Sequence, residues 1–445
     1  MSRIAEHWRS WRQDRLLGAV IRNTGYLFSG SSISVALNMV QSVFAARLLG
    51  VDNFGVLGVV TVFASTVNRL FSFRMGELVV KYMDHFGAEK RPDRAAAVVK
   101  AAALTEGITS LLAFVVLVLL APLAAQIFTK DPATTPWFLI YGLIIPGNLC
   151  TETSTGVLQV HRRYRSQAAI NIGQAVLTAV AIVAAYFLHG TMLVVVLAYL
   201  VGKLILGIGP MVLAWQSLGE LYGPGWWRAS FSLLPPRREL VSFAVSTNLS
   251  ATLNMVVRDS EQLWVGFFLS TTEVGYYKLA LAAINLIMVP ITPFINTTYP
   301  ELSRAVSEKA WPQLRRLLRR VTLISAGFTG AVSLGLLVLG YWLIVTIYGA
   351  EFAPAYPVLL VLLAGYGVAN VLFWNRSLLL ALHQPVFPFQ VMLWTGLAKI
   401  LLAFVLVPRF GLVAEAALLS AYLAFSVAII TYHGLSLTFK QQLSG

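Results

Sequence analysis

The sequence predicts an all-α polytopic membrane protein with about twelve transmembrane helices in two six-helix lobes, related by a parallel pseudo-two-fold repeat. Three observations lead to this fold class. Of the 445 residues, 58% are hydrophobic and only 12% are charged, whereas soluble domains carry about 25% charged residues. Apolar runs of about 20 residues, the length that crosses a bilayer, recur from end to end. Short segments also recur about 220 residues later, which indicates an internal duplication.

Two pairs of segments carry the internal repeat. LLGVDNFGVL at 48–57 matches FLSTTEVGYY at 268–277, with a glycine at the same position in both. HGTMLVVVLAYL at 189–200 resembles FGLVAEAALLSAYL at 410–423 at nearly the same offset. Each half then holds six spans, an even number, so both halves cross the membrane in the same direction and the repeat is parallel.

Length and hydropathy place the spans in order along the chain. The first half holds six, at approximately 24–46, 55–80, 97–127, 136–160, 166–188 and 191–215. The second half holds six more, at approximately 240–268, 273–299, 318–348, 354–382, 386–408 and 411–437. The predicted domains are a basic interfacial segment at 1–23, an N-lobe at 24–216, a cytoplasmic linker at 217–239, a C-lobe at 240–438 and a tail at 439–445.

The basic residues fix the predicted orientation. The N-terminus, every second loop and the tail carry most of them, whereas the other loops hold little beyond Arg47, Lys130 and Arg409. Because cytoplasmic loops carry such an excess, both termini are predicted to be cytoplasmic, and the net charge of +14 does not indicate nucleic-acid binding. The segment 1–23 places tryptophans near one face among arginines, which leaves open a helix on the membrane surface or a frayed basic tail.

Several ionic residues lie inside the predicted spans. An ionised side chain at the bilayer centre costs about 2.5–3.5 kcal/mol, so these residues should face a cavity or each other. The cations are Arg69, Arg74, Lys203, Arg258, Lys278, Arg376 and Lys399, and the acids include Glu106, Glu152, Asp259 and Glu261. Arg258 and Glu261 are three residues apart and could pair on one helix face. Arg69 and Asp259 are the charges that helical spacing explains least.

Two interpretations of these charges are open. In the first, each finds a partner on a neighbouring helix and only holds the bundle together. In the second, the cations bind an anionic substrate group, because Arg offers a phosphate two parallel donors and Lys a point charge. This interpretation predicts contacts to a diphosphate and its glycan at Arg69, Arg74, Arg258, Lys278 and Arg376. It predicts coupling-ion carboxylates at Asp259, Glu106 and Glu152.

Motifs that carry enzyme chemistry are absent from the sequence. It has no P-loop, no G-x-S-x-G elbow and no histidine or cysteine cluster with metal-ligand spacing. The single cysteine, Cys150, permits no intramolecular disulfide. The sequence therefore predicts no catalytic residue, no metal site and no cofactor, with H⁺ or Na⁺ as the candidate coupling ion.

Two stretches resemble a known family. ARLLGVDNFGVLGVV after the first span and RDSEQLWVGFFLSTTEVGYYKLALA across spans seven and eight resemble bacterial polysaccharide transporters. These are the Wzx-like flippases of the multidrug/oligosaccharidyl-lipid/polysaccharide exporter superfamily. The resemblance implies that spans one, two, seven and eight line a central cavity. Arg69 and Asp259 then fall on cavity-lining helices, whereas Lys203, Lys399 and Arg376 do not.

The resemblance also implies a function and partners. An undecaprenyl-diphosphate-linked oligosaccharide, such as an O-antigen or exopolysaccharide repeat unit, would cross the bacterial inner membrane by alternating access. The expected partners are this lipid-linked glycan, membrane lipids, a polysaccharide polymerase and glycosyltransferases, and the transporter is expected to be a monomer.

Two alternatives to the flippase stay open. An H⁺- or Na⁺-coupled multidrug antiporter of the same superfamily would favour a more acidic cavity than Arg69 and Arg258 provide. A membrane glycan polymerase or acyltransferase is the second alternative. Polymerases of this kind carry a large extracytoplasmic loop, and every predicted outer loop here is short.

Overall fold

The structure is a computed structural model that describes residues 15–72, 75–236, 240, 252–288 and 291–443. Side chains are described in these ranges except at 15–32, 286–288, 292–297 and 441–443. Arg74, most of the predicted surface segment 1–23 and part of the predicted linker thus lie outside the described residues. Within the described residues, every regular element is helical.

Eight α-helices lie among the described residues of the first half of the chain. They are α1 (Arg15–Phe71), α2 (Met75–Ala88), α3 (Pro92–Ala124), α4 (Thr135–Gly142), α5 (Ile144–Gly147), α6 (Thr151–Val160), α7 (Tyr164–Phe187) and α8 (Met192–Tyr222). A π-helical turn, Ala125–Thr129, extends α3, and the 3-10 turn Pro132–Thr134 leads into α4. Two more 3-10 turns, Trp226–Arg228 and Phe231–Leu233, follow α8.

In the second half, the described residues form a π-helical turn at Met255–Asp259 and, after it, seven α-helices. They are α9 (Glu261–Phe268), α10 (Thr271–Met288), α11 (Thr292–Ser307), α12 (Trp311–Ile347), α13 (Ala355–Val371), α14 (Asn375–Ala381) and α15 (Val386–Leu443). The 3-10 turn Ala350–Phe352 connects α12 to α13.

Glycine kinks divide the two longest helices. Gly50 in α1 has φ 69° and ψ 174°, and Gly411 in α15 has φ 68° and ψ −152°. Residues with a Cβ rarely adopt such a positive φ, so glycine permits the sharp break at both places. The kinks coincide with the predicted loops between spans one and two and between spans eleven and twelve, so each long helix contains two spans.

Seven of the described helical segments are long and apolar enough to cross a membrane. Two of these are the kinked segments Ile33–Phe71 and Val386–Lys440, which hold two spans each. Other predicted spans are interrupted: span four consists of α4 to α6, and span ten consists of α13 and α14. Exposed Leu334, Val338 and Trp342 on α12 suit a lipid-facing helix. The predicted all-α polytopic fold with about twelve transmembrane helices is confirmed.

The backbone itself repeats at the predicted offset of about 220 residues. Left-handed φ values occur in pairs at this spacing: Lys90 with Lys309, Lys130 with Gly349, Arg162 with His383, and His189 with Gly411. Each pair ends equivalent helices in the two halves. The duplication therefore extends to the helix ends, well beyond the two segments in which the sequence preserves it.

The chain divides into two compact units. The first holds Met1–Gln41, Ala64–Ala121 and Pro136–Leu249, and the second holds Ser42–Phe63, Pro122–Thr135 and Ser250–Gly445. The second unit thus includes two short segments from the first half of the chain. The lobe and linker boundaries inferred from the sequence stay predictions.

Each unit contains an equivalent apolar core. In the first unit, buried residues of α2, α3, α6 and α8 pack together, among them Val79, Val98, Leu158 and Ala214. In the second, the repeat-equivalent helices α11, α12, α14 and α15 contribute, among others, Leu302, Leu318, Leu378 and Ile430. These cores hold the helices on which the ionic residues lie.

Candidate functional site

The π-helical turn Met255–Asp259 lies in the middle of predicted span seven. Such a turn leaves carbonyl groups without their usual helical partners. The Val256 carbonyl accepts hydrogen bonds from the Ser260 hydroxyl (2.8 Å) and the Trp264 indole (3.0 Å). The turn ends at Asp259 and α9 begins at Glu261, so the spacing of a continuous α-helix does not apply to the charges on either side of Ser260.

Arg258 lies on this turn and faces an aromatic ring. Its guanidinium carbon is 5.2 Å from the centroid of the Tyr366 ring, a cation–π contact. The Arg258–Glu261 pair expected from helical spacing is not formed, because the break after Asp259 turns Glu261 towards other partners. Asp259 itself is exposed.

Four side chains form a buried polar cluster in the second unit: Glu261 of α9, Tyr277 of α10, and Lys399 and Glu415 of α15. The Tyr277 hydroxyl donates to Glu261 Oε2 at 2.6 Å. The Lys399 ammonium donates to Glu261 Oε1 and to the Val257 carbonyl (3.2 Å), and it lies 3.2 Å from Glu415 Oε1. Glu261, Tyr277 and Glu415 are 0% exposed and Lys399 is 3% exposed, so this cluster is separated from solvent.

Lys278 follows Tyr277 in sequence and points to a different neighbour. Its ammonium is 3.3 Å from the Phe54 carbonyl and 4.0 Å from the centroid of the Phe54 ring. No carboxylate forms an ion pair with it in the part of the chain that the structure describes. Gly58 lies against both Lys278 and Gln262, whose buried Oε1 lacks a hydrogen bond. A cation and an unpaired amide oxygen thus share one small region.

The glycines of the repeated segment cross at close range. A Cβ atom on Gly55 would overlap the Thr271 carbonyl, and one on Gly275 would overlap the Val51 carbonyl. The contact is reciprocal, as a two-fold repeat predicts, and only glycine allows the backbones of α1 and α10 to approach so closely. The Thr271 hydroxyl also donates to the Asp52 carboxylate beside the crossing.

Two cations cap helix C-termini next to this crossing. Arg47 donates from Nε and Nη2 to the carbonyls of Ile347 (2.7 Å) and Thr346 (2.5 Å), at the end of α12. Lys130 donates to the Phe267 carbonyl at 2.8 Å, at the end of α9. A cation at a helix C-terminus is favourable because it complements the helix dipole and satisfies free carbonyls. Arg47 and Lys130 are two of the few basic residues predicted on the outer side.

Glu106 and Glu152, predicted to be coupling-ion residues, meet in the first unit. Glu106 is buried, and its two oxygens accept hydrogen bonds from the backbone N–H groups of Glu152 (2.8 Å) and Thr153 (2.9 Å). This carboxylate therefore caps the N-terminus of α6, where span four restarts after its break. Glu152 is exposed, and its carbonyl lies against Gly76 of α2.

The remaining predicted cations are distributed over both units. Arg69 is exposed in the last turn of α1, and its charge acts on Lys203 of α8 in the same unit. Arg376 is exposed on α14 of the second unit. Arg74 lies outside the described residues. Two like charges near each other inside a membrane, as at Arg69 and Lys203, favour an anionic counter-group.

Comparison with known proteins identifies the family. The model of a family described as "Polysaccharide biosynthesis protein" matches residues 44–357, which is well over half of the chain. The chain belongs to this family. The inner membrane protein YghQ of Escherichia coli (strain K12) is 23% identical to this polysaccharide biosynthesis protein over 355 residues, which cover 79% of the chain and 98% of YghQ.

Solved structures establish the fold of this polysaccharide biosynthesis protein. An inward-facing multidrug resistance MATE family transporter of the MOP superfamily is similar with a TM-score of 0.72 and 13% identity, over 96% of this chain and 99% of the other. The lipid II flippase MurJ in an inward closed conformation is similar with a TM-score of 0.69 and 14% identity, over 94% and 92% of the two chains. The resemblance to Wzx-like polysaccharide transporters is confirmed in family and in fold, and the protein is a multi-pass membrane protein.

The sequence alone does not reveal the buried cluster in this polysaccharide biosynthesis protein. It marks Lys399 as a deep cation outside the expected cavity, and it does not single out Glu415, although Glu415 lies in the repeated segment 410–423. The available signal was charge balance: a lysine deep in span eleven needs a carboxylate on a neighbouring span. Glu261 and Glu415 are the two that the fold brings to Lys399.

Proposed function

We propose that this protein is a flippase that moves an undecaprenyl-diphosphate-linked oligosaccharide from the cytoplasmic to the periplasmic leaflet of the bacterial inner membrane. It would do so by alternating access, with both termini in the cytoplasm. The observation that carries the proposal is Lys278, an ammonium group in predicted span eight that has no carboxylate partner among the described residues.

The chemistry of Lys278 suits a diphosphate. A cation inside a membrane is costly unless an anion neutralises it. The Phe54 carbonyl and ring hold the ammonium but supply no negative charge. A diphosphate supplies oxygen atoms and charge together, and a lysine binds phosphate as a point charge. The polyprenyl chain of the same substrate can stay in the lipid phase while the headgroup is bound.

The other predicted residues have defined places in this proposal. Arg258 would offer a guanidinium beside the Tyr366 ring, a surface of the kind on which sugars and phosphates bind. Arg69, Arg74 and Arg376 are proposed as further cationic contacts for the headgroup or glycan. Asp259, Glu106 and Glu152 stay the carboxylates that the sequence offers for a coupling H⁺ or Na⁺, and no other cofactor is proposed.

The pathway context follows from the substrate. Glycosyltransferases would build the lipid-linked glycan on the cytoplasmic side, and a polysaccharide polymerase would consume it on the periplasmic side. The transporter would work as a monomer among these proteins and the membrane lipids.

A cell-based complementation assay tests this proposal. In bacteria that lack their own flippase, the protein together with a matching glycan pathway should restore surface polysaccharide. Lys278→Gln and Arg69→Ala should each lower that surface polysaccharide at least about tenfold, the factor that a loss of 1.4 kcal/mol in substrate binding produces. The matched control is Arg409→Gln, which removes an exposed outer-side cation and should preserve function.

The outcomes separate the flippase from its alternative. Full surface polysaccharide with Lys278→Gln, at unchanged protein level in the membrane, would remove Lys278 from the mechanism. Restored drug resistance without surface polysaccharide would instead identify a multidrug antiporter.

A further inference from the structure

The buried cluster of Glu261, Tyr277, Lys399 and Glu415 contains more acid than base. Two carboxylates face one ammonium group, so one negative charge is uncompensated when all three groups are ionised. The Lys399 ammonium donates to Glu261, and its contact with Glu415 is an ion pair at 3.2 Å. Both oxygens of Glu415 are buried, and apart from the ion pair with Lys399 neither has a hydrogen-bond partner. A buried anion with so few donors is strongly unfavourable.

Neighbouring groups do not remove this excess charge. Tyr277 donates its hydroxyl to Glu261 and stays neutral. Tyr366 and Tyr422 also lie within electrostatic range of the cluster. Arg258 stacks on Tyr366, next to Asp259 in the chain, and forms no ion pair with Glu261 or Glu415 among the described residues. Tyr366 and Asp259 are the groups that interact most strongly with the charge of Arg258.

We propose that this cluster is a proton-binding site of the transporter, which holds one proton on the Glu261–Glu415 carboxylate pair around the fixed ammonium of Lys399. The proton binds to a carboxylate oxygen and returns to water in the same form, so no other reactant is involved. Glu415 is the favoured carrier because its oxygens have only the ion pair with Lys399, whereas Glu261 accepts hydrogen bonds from both Lys399 and Tyr277. This inference rests on the proposed transport function, for which it names the coupling ion and its site.

The Lys399 ammonium determines which ion the site accepts. It lies between the two carboxylates and also donates to the Val257 carbonyl, so it occupies the position in which a metal cation would contact these oxygens. A second cation such as Na⁺ would be repelled at this distance, whereas a proton only neutralises one oxygen. The site is therefore selective for H⁺.

Two members of the cluster's hydrogen-bond network are adjacent in sequence to proposed substrate contacts. Tyr277, bonded to Glu261, is adjacent in α10 to Lys278, the proposed diphosphate contact. Val257, whose carbonyl binds Lys399, is adjacent to Arg258 on the π-helical turn. When the proton leaves, the bonds to Glu261 and Val257 change, and α10 and the turn are the elements that move. Proton release and headgroup binding are linked through these two neighbours.

Infrared spectroscopy of the purified protein tests the proton site without a transport assay. The wild type at neutral pH should show the carbonyl stretch of a protonated, buried carboxyl group. Glu415→Gln and Glu261→Gln should each abolish that band, since either leaves one carboxylate with one ammonium. Lys399→Met should increase it, because two protons then neutralise two carboxylates. Loss of the band in Glu106→Gln instead, or no effect of the two cluster variants, would overturn the proposal.

A transport measurement then checks coupling. In liposomes, a proton gradient should accelerate flipping of a fluorescent polyprenyl-diphosphate oligosaccharide, and a sodium gradient should not. With Glu415→Gln, the ratio of rates with and without the proton gradient should fall to about one. Normal gradient stimulation in this variant would overturn the proton site while leaving the flippase intact. A wild type that shows the infrared band but flips no lipid would instead refute the proposed function.

Discussion

At the scale of single residues, burial and hydrogen-bond partners separate ionic side chains that the sequence presents as equivalent. Glu106 and Glu415 are both buried carboxylates in apolar helices. Glu106 accepts hydrogen bonds from two backbone N–H groups, whereas the oxygens of Glu415 have only the ion pair with Lys399. Glu106 therefore caps a helix, whereas the negative charge of Glu415 is not balanced. Hydropathy alone cannot make this distinction, because both positions read as an acid in a span.

The cap at α6 gives a prediction for Glu106. Glu106→Leu leaves the buried N–H groups of Glu152 and Thr153 without an acceptor, at about 1–3 kcal/mol each. The melting temperature of the purified protein should fall by several degrees. Glu106→Gln keeps one oxygen acceptor and should lose less stability, and Glu152→Gln leaves the cap intact and serves as the control. Unchanged melting of Glu106→Leu would show that α6 does not depend on this cap.

Charge pairing marks the limit of sequence reasoning at this scale. Arg258, Asp259 and Lys278 could be identified because charged residues are conspicuous in apolar spans. The partner of Lys399 could not, since Glu261 lies far away in sequence and only the fold brings the two together. The expected Arg258–Glu261 pair does not form. The π-helical turn ends between the two residues, so the three-residue spacing of a continuous α-helix does not apply to them.

At the scale of helices, the crossing of α1 and α10 is the contact that the repeat explains best. Gly55 and Gly275 occupy matching positions in the repeated segment, and each lies against the backbone of the other helix. The Arg47 and Lys130 caps bind helix ends beside this crossing. Because these contacts are on the predicted outer side, a transporter that works by alternating access would have to break them to release substrate outward.

The glycine crossing gives the prediction at this scale. Gly55→Leu introduces a side chain where even a Cβ overlaps the Thr271 carbonyl, and overpacking of this kind typically costs about 1–3 kcal/mol. The helices should separate, so a cysteine introduced at Thr271 in a Cys150→Ser background should react faster with a maleimide in whole cells. Gly107→Leu, at a position with open space around it, is the control. Equal labelling rates in the two leucine variants would contradict a closed crossing.

Helix boundaries show which elements the sequence could predict. The kinks in the two longest helices fall where the predicted loops lie. At each kink a glycine with positive φ permits the break. The breaks inside span four and span ten were less predictable. Polar residues follow each break, TETST at 151–155 and NRS at 375–377, but the carboxylate cap on α6 and the packing of α14, which fix the new helix starts, depend on the tertiary structure.

At the scale of the whole molecule, duplication explains both the fold and the arrangement of its charges. The paired left-handed residues show that helix ends are preserved where the sequence has diverged. The ionic residues are not duplicated in the same way: the cluster around Lys399 occurs in the second unit, while the cap at Glu106 occurs in the first. One fold thus carries two different charge arrangements. The fold class could be predicted from composition, span count and repeat, and the family from the two stretches that resemble polysaccharide transporters, whereas the cluster required the tertiary structure.

The most direct measurement is the flipping rate of a fluorescent polyprenyl-diphosphate oligosaccharide by the purified protein in liposomes, read from quenching of the probe that reaches the outer leaflet. The account predicts rapid flipping by the wild type, a loss of at least about tenfold with Lys278→Gln, and normal rates with Arg409→Gln. Flipping that is no faster than in protein-free liposomes, with the protein shown to be folded, would contradict the account.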